Sequence, residues 1–443
     1  MATEATPNVA VPDLSLPEIH ASVRLSRSPL FWRRFLGFVG PGFLISVGYM
    51  DPGNWATDIA GGSRFGYTLL SVIMASNLMA ILLQSLSLKL GVATERDLAQ
   101  LCRETTGRWG SIVLWIMAEI AIAACDLAEV IGSAIALNLL FHIPLLWGVL
   151  ITGTDVLLIL LLQRWGFRTV EAIVIALIGT ILALFWVQMF LSRPEYGPAV
   201  ANLFIPSSAI LTNPAMLYIA IGMLGATVMP HNLYLHSSIV QSRRYKRTPE
   251  GKREAIKMAN IDSALALTVA LFVNAAILIV AAAVFHRSGH FEVAAIEDAY
   301  KLLSPLVGAG FASTLFAVAL LASGQNSSIT GTLAGQVVME GFVQMKLAPW
   351  LRRLITRGLA IIPTIIVVAL YGSHGTEDLL ILSQVILSLQ LSFAVVPLVI
   401  FTSDKRRMGE FVNAPWLKFL AWTVAAIIAA LNAWLLLQMA LGR

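Results

Sequence analysis

Charge is what this chain has least of. Only 12% of its 443 residues are charged, against 58% apolar, whereas soluble domains carry about a quarter charged residues. An ordinary soluble fold is excluded. Cysteine is almost missing too: Cys102 and Cys125 are too few and too separate for a disulfide framework or a structural zinc site. No His-Glu-x-x-His pair occurs, and nothing nucleophilic is poised beside a base. The chain is therefore not read as an enzyme, and no resident cofactor is expected. Residues 1–34 lack a compact apolar region before a small-residue cleavage site, so they read as a polar cytoplasmic tail and not as a signal peptide. The excess of 30 Lys and Arg over 25 Asp and Glu forms no single basic face, and a nucleic-acid partner is not expected.

What the chain has is apolar runs of membrane-spanning length, about 20 residues each. Eleven are read, at 37–60, 67–92, 110–139, 146–163, 169–191, 214–237, 258–285, 309–343, 353–371, 377–401 and 416–440. The fold class expected is an all-α polytopic membrane protein in the lipid bilayer. Basic residues crowd alternate loops: Arg96, Arg103 and Arg108, then Arg164 and Arg168, then Arg243 to Lys257, then Lys405 to Arg407. Lys and Arg concentrate on the cytoplasmic side of membrane proteins. This puts the N-terminus inside and, after eleven crossings, the C-terminus outside, in the cell (plasma or inner) membrane.

Two of the spans are interrupted. The first breaks at Asp51-Pro52-Gly53-Asn54 and the sixth at Met229-Pro230-His231-Asn232; both breaks read x-Pro-x-Asn. Matched Gly/Pro interruptions in two halves point to a transporter site at a repeat interface. With five spans per half, the halves are inverted: 1–36 is the tail, 37–213 the first repeat, 214–402 the second, and 403–443 a loop with an extra span. An acid at membrane depth marks an ion path, and unwound backbone there must line protein or a cavity. Asp51 could instead be a plain helix N-cap. The thioether of Met229 suits late first-row metals better than Mg²⁺ or Ca²⁺, unless it is only core packing. Gln384, within the tenth span, is either an oxygen donor or a helix–helix hydrogen bonder.

Span 3 carries Glu119, Asp126 and Glu129 along one stripe. Seven residues return a helix to within about 20° of the same face, and Asp126 and Glu129 are three apart. Structural ion pairing is one reading; a proton relay is the other. Arg352 and Arg353 are available cations, or simply topology determinants. His231 is able to carry protons or to bond freed carbonyls.

Asp51–Asn54, Asp126–Glu129 and the run Gly225-Ala226-Thr227-Val228-Met229-Pro230-His231-Asn232-Leu233-Tyr234-Leu235-His236-Ser237 resemble the signature stretches of the Nramp family of proton-coupled divalent metal-ion transporters. Ala322–Gln325, Gly331–Gln336 and Leu382–Gln384 add to the match, which extends over the whole chain after the tail. The resemblance implies a LeuT-like fold with broken helices 1 and 6. It implies a metal site made of Asp51, Asn54, the Ala226 carbonyl and Met229, joined by Gln384 in some conformations. It also implies a proton pathway through Asp51, Asp126 and Glu129, with Glu119, His231, Arg352 and Arg353 along or near it. The substrates implied are Mn²⁺ and Fe²⁺, with Cd²⁺ and Co²⁺ accepted, imported with protons by a monomer. Two alternatives stand beside this: a broader, Mg²⁺-tolerant carrier of the family, and a sodium-coupled small-solute symporter of the same architecture.

Overall fold

The computed structural model describes residues 15–440, apart from 18, 27, 155–164, 294, 346 and 372–373. Among the described residues, seven helical segments are long and apolar enough to cross a membrane, and Pro41–Met50 and Arg357–Leu370 are shorter apolar helices. The eleven expected spans differ from these for local reasons. Span 1 is split at its break, and span 9 is the helix Pro349–Tyr371, within which Arg357–Leu370 is the apolar stretch among the described residues. Span 8 is a full 32-residue helix, Ala312–Val343, but its hydropathy is lowered by Ser323-Gly324-Gln325-Asn326-Ser327-Ser328. Span 4 begins as Leu145–Thr152 and runs into 155–164, outside the described residues. Span 3 is longer than expected: Leu98–Phe141 takes in the stretch before residue 110 across a kink at Gly107, where φ is +69°.

Spans 3 and 8 pack along each other most extensively, with span 10 (His374–Ser403) and span 5 (Phe167–Ser192) against them. The broken spans 1 and 6 lie between this wall and spans 2 (Leu70–Thr94) and 7 (Pro249–Val284). Span 11, Pro415–Ala440, packs on span 10.

Both breaks are built the same way. Half-helix 1a, Pro41–Ser46, ends in a 3₁₀ turn at Gly48–Met50, and half-helix 1b runs Pro52–Phe65. Half-helix 6a is Pro214–Thr227, and 6b is Pro230–Ile239. Pro52 and Pro230 each take the first helical position, where the missing N–H matters least. Asp51 caps 1b by accepting the Asn54 backbone N–H at 2.8 Å. Met229 holds extended backbone before 6b (φ −70°, ψ 124°).

The N-terminal end of 1a is tied down by buried charges, two of them inside expected spans. Asp262 of span 7 accepts the N–H groups of Gly40 and Gly42, at 3.2 and 2.7 Å. Glu171 of span 5 pairs with buried Arg243 at 2.7 Å and with Arg168 at 3.0 Å. Arg243 also donates to the carbonyls of Phe38 and Val39. The segment before span 1 crosses this end: the Leu16 N–H donates to Glu340 of span 8, the Ala21 N–H to the Gln241 carbonyl, and Val23–Arg24 pairs in parallel with Arg243–Arg244. Cys102 and Cys125 are both free and buried.

Candidate metal site

A proline removes the N–H that would bond the carbonyl four residues earlier. For Pro52 that carbonyl belongs to Gly48, and for Pro230 to Ala226. The two breaks thus free one carbonyl each at equivalent places, 178 residues apart. Both turn to one side chain: Asn54 Nδ2 donates to the Gly48 carbonyl at 3.3 Å, the Ala226 carbonyl at 3.1 Å and Asp51 Oδ1 at 2.7 Å. Two amide hydrogens are therefore shared among three oxygens. Other freed carbonyls of span 1 are satisfied by side chains within and outside it. Tyr49 O accepts from Asn274 of span 7 at 2.7 Å, and Met50 O from Trp55 Nε1 at 3.2 Å and from the Ser323 hydroxyl of span 8.

Met229 closes the other side. Its sulfur lies against Gly48, where any added Cβ would sit 3.1 Å from it, and it accepts from Asn232 Nδ2 at 3.7 Å. It also belongs to a small buried cluster with Ala121 and Cys125 of span 3 and Leu387 of span 10. Gln384 reaches in from span 10, donating to Ser383 Oγ at 2.9 Å. A Cβ on Gly53 would overlap its amide nitrogen, so glycine at this position makes room for the glutamine. Asp51, Asn54, Ala226, Met229 and Gln384 are all buried. Two oxygens in the group, Asp51 Oδ2 and Gln384 Oε1, have no hydrogen-bond partner among the described residues. Buried orphan oxygens are rare because each carries a desolvation penalty.

Toward half-helix 6b a hydrogen-bonded chain joins the parts: Tyr49 OH accepts from Gln84 Nε2 at 2.8 Å, and Gln84 Oε1 meets His236 Nδ1 at 2.9 Å. His236 thus links half-helix 6b to spans 1 and 2. At the far end of 1b, Arg64 pairs with Glu377 of span 10 at 3.5 Å.

The acids of span 3 separate. Asp126 and Glu129 are buried, whereas Glu119 is half-buried and accepts from Trp115 on its own helix at 3.1 Å. Glu129 Oε1 accepts from Ser327 Oγ of span 8 at 2.8 Å, and Glu129 Oε2 lies 3.3 Å from the guanidinium of Arg357. Arg357 also donates to the Asp126 carbonyl at 3.3 Å and to Ser328. The side chains of Arg352 and Arg353 lie outside the described residues; the cation seen against the acids is Arg357, one turn beyond Arg353. His231 is buried, and its Nδ1 has no hydrogen-bond partner among the described residues.

Sequence reasoning also missed Asn274, which donates to Asn54 Oδ1 at 3.3 Å, and Asp58, a buried acid one turn beyond Asn54. Arg357 and Asp58 both lie inside expected spans, so the reasoning applied to Asp51 marks them as well. Asn274 had only a polar side chain in an apolar run as its signal. Among the described residues no cluster of three His, Cys, Asp or Glu side chains has metal-holding geometry. A cation at the breaks would be held by one carboxylate with amide, carbonyl and thioether donors.

Comparison with known proteins gives this arrangement a family. Residues 42–438 match the natural resistance-associated macrophage protein-like family, Nramp. The divalent metal cation transporter MntH of Nostoc sp. is 64% identical over 424 residues, 96% of each chain. That of Bradyrhizobium diazoefficiens is 62% identical over 428 residues, 97% of this chain and 95% of the relative. The crystal structure of the Eremococcus coleocola manganese transporter, 45% identical, superposes with a TM-score of 0.88 over 95% of this chain and 90% of that one. Mhp1, a nucleobase-cation-symport-1 transporter, is only 15% identical but superposes at 0.61 over 90% and 91% of the two chains, which shows a shared LeuT-like fold. This chain belongs to the Nramp family, as an all-α membrane protein of LeuT-like architecture broken in helices 1 and 6.

Proposed function

We propose that this chain imports divalent transition-metal ions, Mn²⁺ and Fe²⁺ foremost and Cd²⁺ and Co²⁺ besides, coupled to protons by alternating access. It is read as a transporter and not an enzyme, acting as a monomer in the cell membrane with its N-terminus cytoplasmic and its C-terminus outside. The observation that carries the reading is the pair of orphaned oxygens, Asp51 Oδ2 and Gln384 Oε1, beside two proline-freed carbonyls and a thioether. Hard oxygen alone would suit Mg²⁺; sulfur among the donors favours a softer ion.

Asn54 is the piece that moves. Its Nδ2 stands among the oxygens of Asp51, Gly48 and Ala226, where a cation would be placed. When metal arrives the amide turns, offering Oδ1 to the ion and its Nδ2 to Asn274 Oδ1, which has no hydrogen-bond partner among the described residues. A cation beside Asp51 favours its charged form, so a proton on Asp51 is driven off. Asp126 and Glu129 receive it on the way to the cytoplasm, with His231 and Glu119 along the route and Arg352 and Arg353 near its inner end. The half-helices then rock between outward and inward openings. An inward-negative potential adds about 2.3 kcal/mol per elementary charge per 100 mV.

The expected result in sealed proteoliposomes is that an inward Mn²⁺ gradient acidifies the lumen, followed with an enclosed pH dye. Mn²⁺ entry without acidification would remove proton coupling from the account. One observation favours the broader carrier instead: Met229 also packs on Ala121, Cys125 and Leu387, as a purely structural methionine would.

A further inference from the structure

A groove of about 570 Å³ opens at the end of the bundle that carries the N-terminal segment, with Ser22, Arg24, Leu36, Gly37, Phe167 and Arg168 in its lining. Its chemistry is cationic on one side and apolar on the other. Arg24 stands in direct cross-strand register with Arg244. Both are exposed, and neither has an ion-pair partner among the described residues. Like charges directly opposite one another weaken a strand pair, unless an anion sits between them. Arg33, also exposed and unpaired among the described residues, is three and four residues before Leu36 and Gly37 and so shares their helix face. No carboxylate lines the groove.

The apolar side is the short helix Phe31–Phe38, which buries Phe35 and Phe38 and turns Trp32 and Leu36 outward, 70% and 58% exposed. Trp165, just before span 5, is exposed as well. Basic residues beside outward aromatic and aliphatic ones, at the ends of spanning helices, are the composition of a helix lying in the membrane interface. Gly37 lets the chain close over this helix: the Leu25 side chain and the Ser26 amide lie against its bare Cα. A role in topology alone would need the charges but neither the groove nor the paired arginines.

We propose that this groove binds an anionic phospholipid of the leaflet on the N-terminal side, its phosphodiester between Arg24, Arg244 and Arg33 and its acyl chains along Trp32 and Leu36. Arg168 connects the site to the transport machinery. It donates to the carbonyls of Leu36 and Val39 and pairs with Glu171, next to the start of half-helix 1a. A bound lipid therefore steadies the segment from which 1a must swing.

The test counts lipids retained by the full-length protein in native mass spectrometry, after exposure to phosphatidylglycerol or phosphatidylcholine. Wild type should hold phosphatidylglycerol in preference. Each arginine near an anionic headgroup contributes roughly fivefold in affinity, so Arg24→Gln and Arg244→Gln should each weaken retention about that much, and together roughly thirtyfold. Arg253→Gln, which removes an exposed arginine paired with Glu410, should leave retention unchanged. An unchanged melting temperature in the single variants separates lost binding from lost fold. Equal retention of the two lipids, full retention by the double variant, or complete displacement by millimolar inorganic phosphate would each overturn the proposal. The last would make this a free-anion site. None of these readouts depends on metal transport.

Discussion

Asp51→Asn should abolish Mn²⁺ uptake while leaving the protein folded. The two effects separate because asparagine caps a helix as well as aspartate does. Its amide oxygen can still accept the Asn54 N–H that Asp51 Oδ1 now holds at 2.8 Å, so half-helix 1b keeps its start. What is lost is the one carboxylate of the donor set. Residues one step removed from a metal typically cost 10–100-fold in affinity when replaced, so loss of the charged ligand should exceed about 100-fold. Isothermal titration with Mn²⁺, uptake into proteoliposomes and a thermal melt on the same preparation check this. Wild-type uptake by the variant would show that Asp51 is only a cap, the alternative its position has always allowed.

Arg357→Ala should have the largest effect on stability. The guanidinium and Glu129 are both almost fully buried, at 2% and 0% side-chain exposure. Removing one partner of such a pair takes a cation away from a buried carboxylate, which costs about 3–5 kcal/mol. The Asp126 carbonyl and Ser328 lose the same donor. If the damage comes from the stranded carboxylate, adding Glu129→Gln should recover much of the stability, because the neutral amide needs no counter-charge. Unfolding midpoints of the two single variants and the double variant, measured in one detergent, form the cycle. A double variant as unstable as the sum of the singles would mean that Arg357 acts through packing, independently of Glu129.

The parts of the site legible in sequence are those where covalent chemistry dictates geometry. Proline removes a donor, so each x-Pro-x-Asn frees backbone carbonyls beside it. The broken helices were legible for the same reason, whereas Ala226 itself is named by the family resemblance. Side-chain direction was not. Glu119 shares a helical stripe with Asp126, yet the structure leaves it half-buried, because the stripe passes out of the wall formed with span 8. Arg357 lies four residues beyond Arg353, and its meeting with Glu129 depends on how span 9 is rotated against span 3. Asn274 matters only because span 7 packs beside half-helix 1b. Asp262 and Glu171 are a further lesson: both are acids inside expected spans, yet they hold the N-terminal end of half-helix 1a to its neighbours. An intramembrane charge marks something essential, and only the fold says whether that is the path or the frame around it.

The central claim is that a thioether, set among oxygens by the second break, selects the ion. Mn²⁺ uptake into proteoliposomes with excess Mg²⁺ or Ca²⁺ outside, wild type beside Met229→Ala, tests it most directly. The account predicts that wild-type uptake resists the competitors and that the variant still transports but loses this resistance. Equal competition in both proteins would contradict it, leaving Met229 as packing against Ala121, Cys125 and Leu387 and selectivity to the oxygen donors alone.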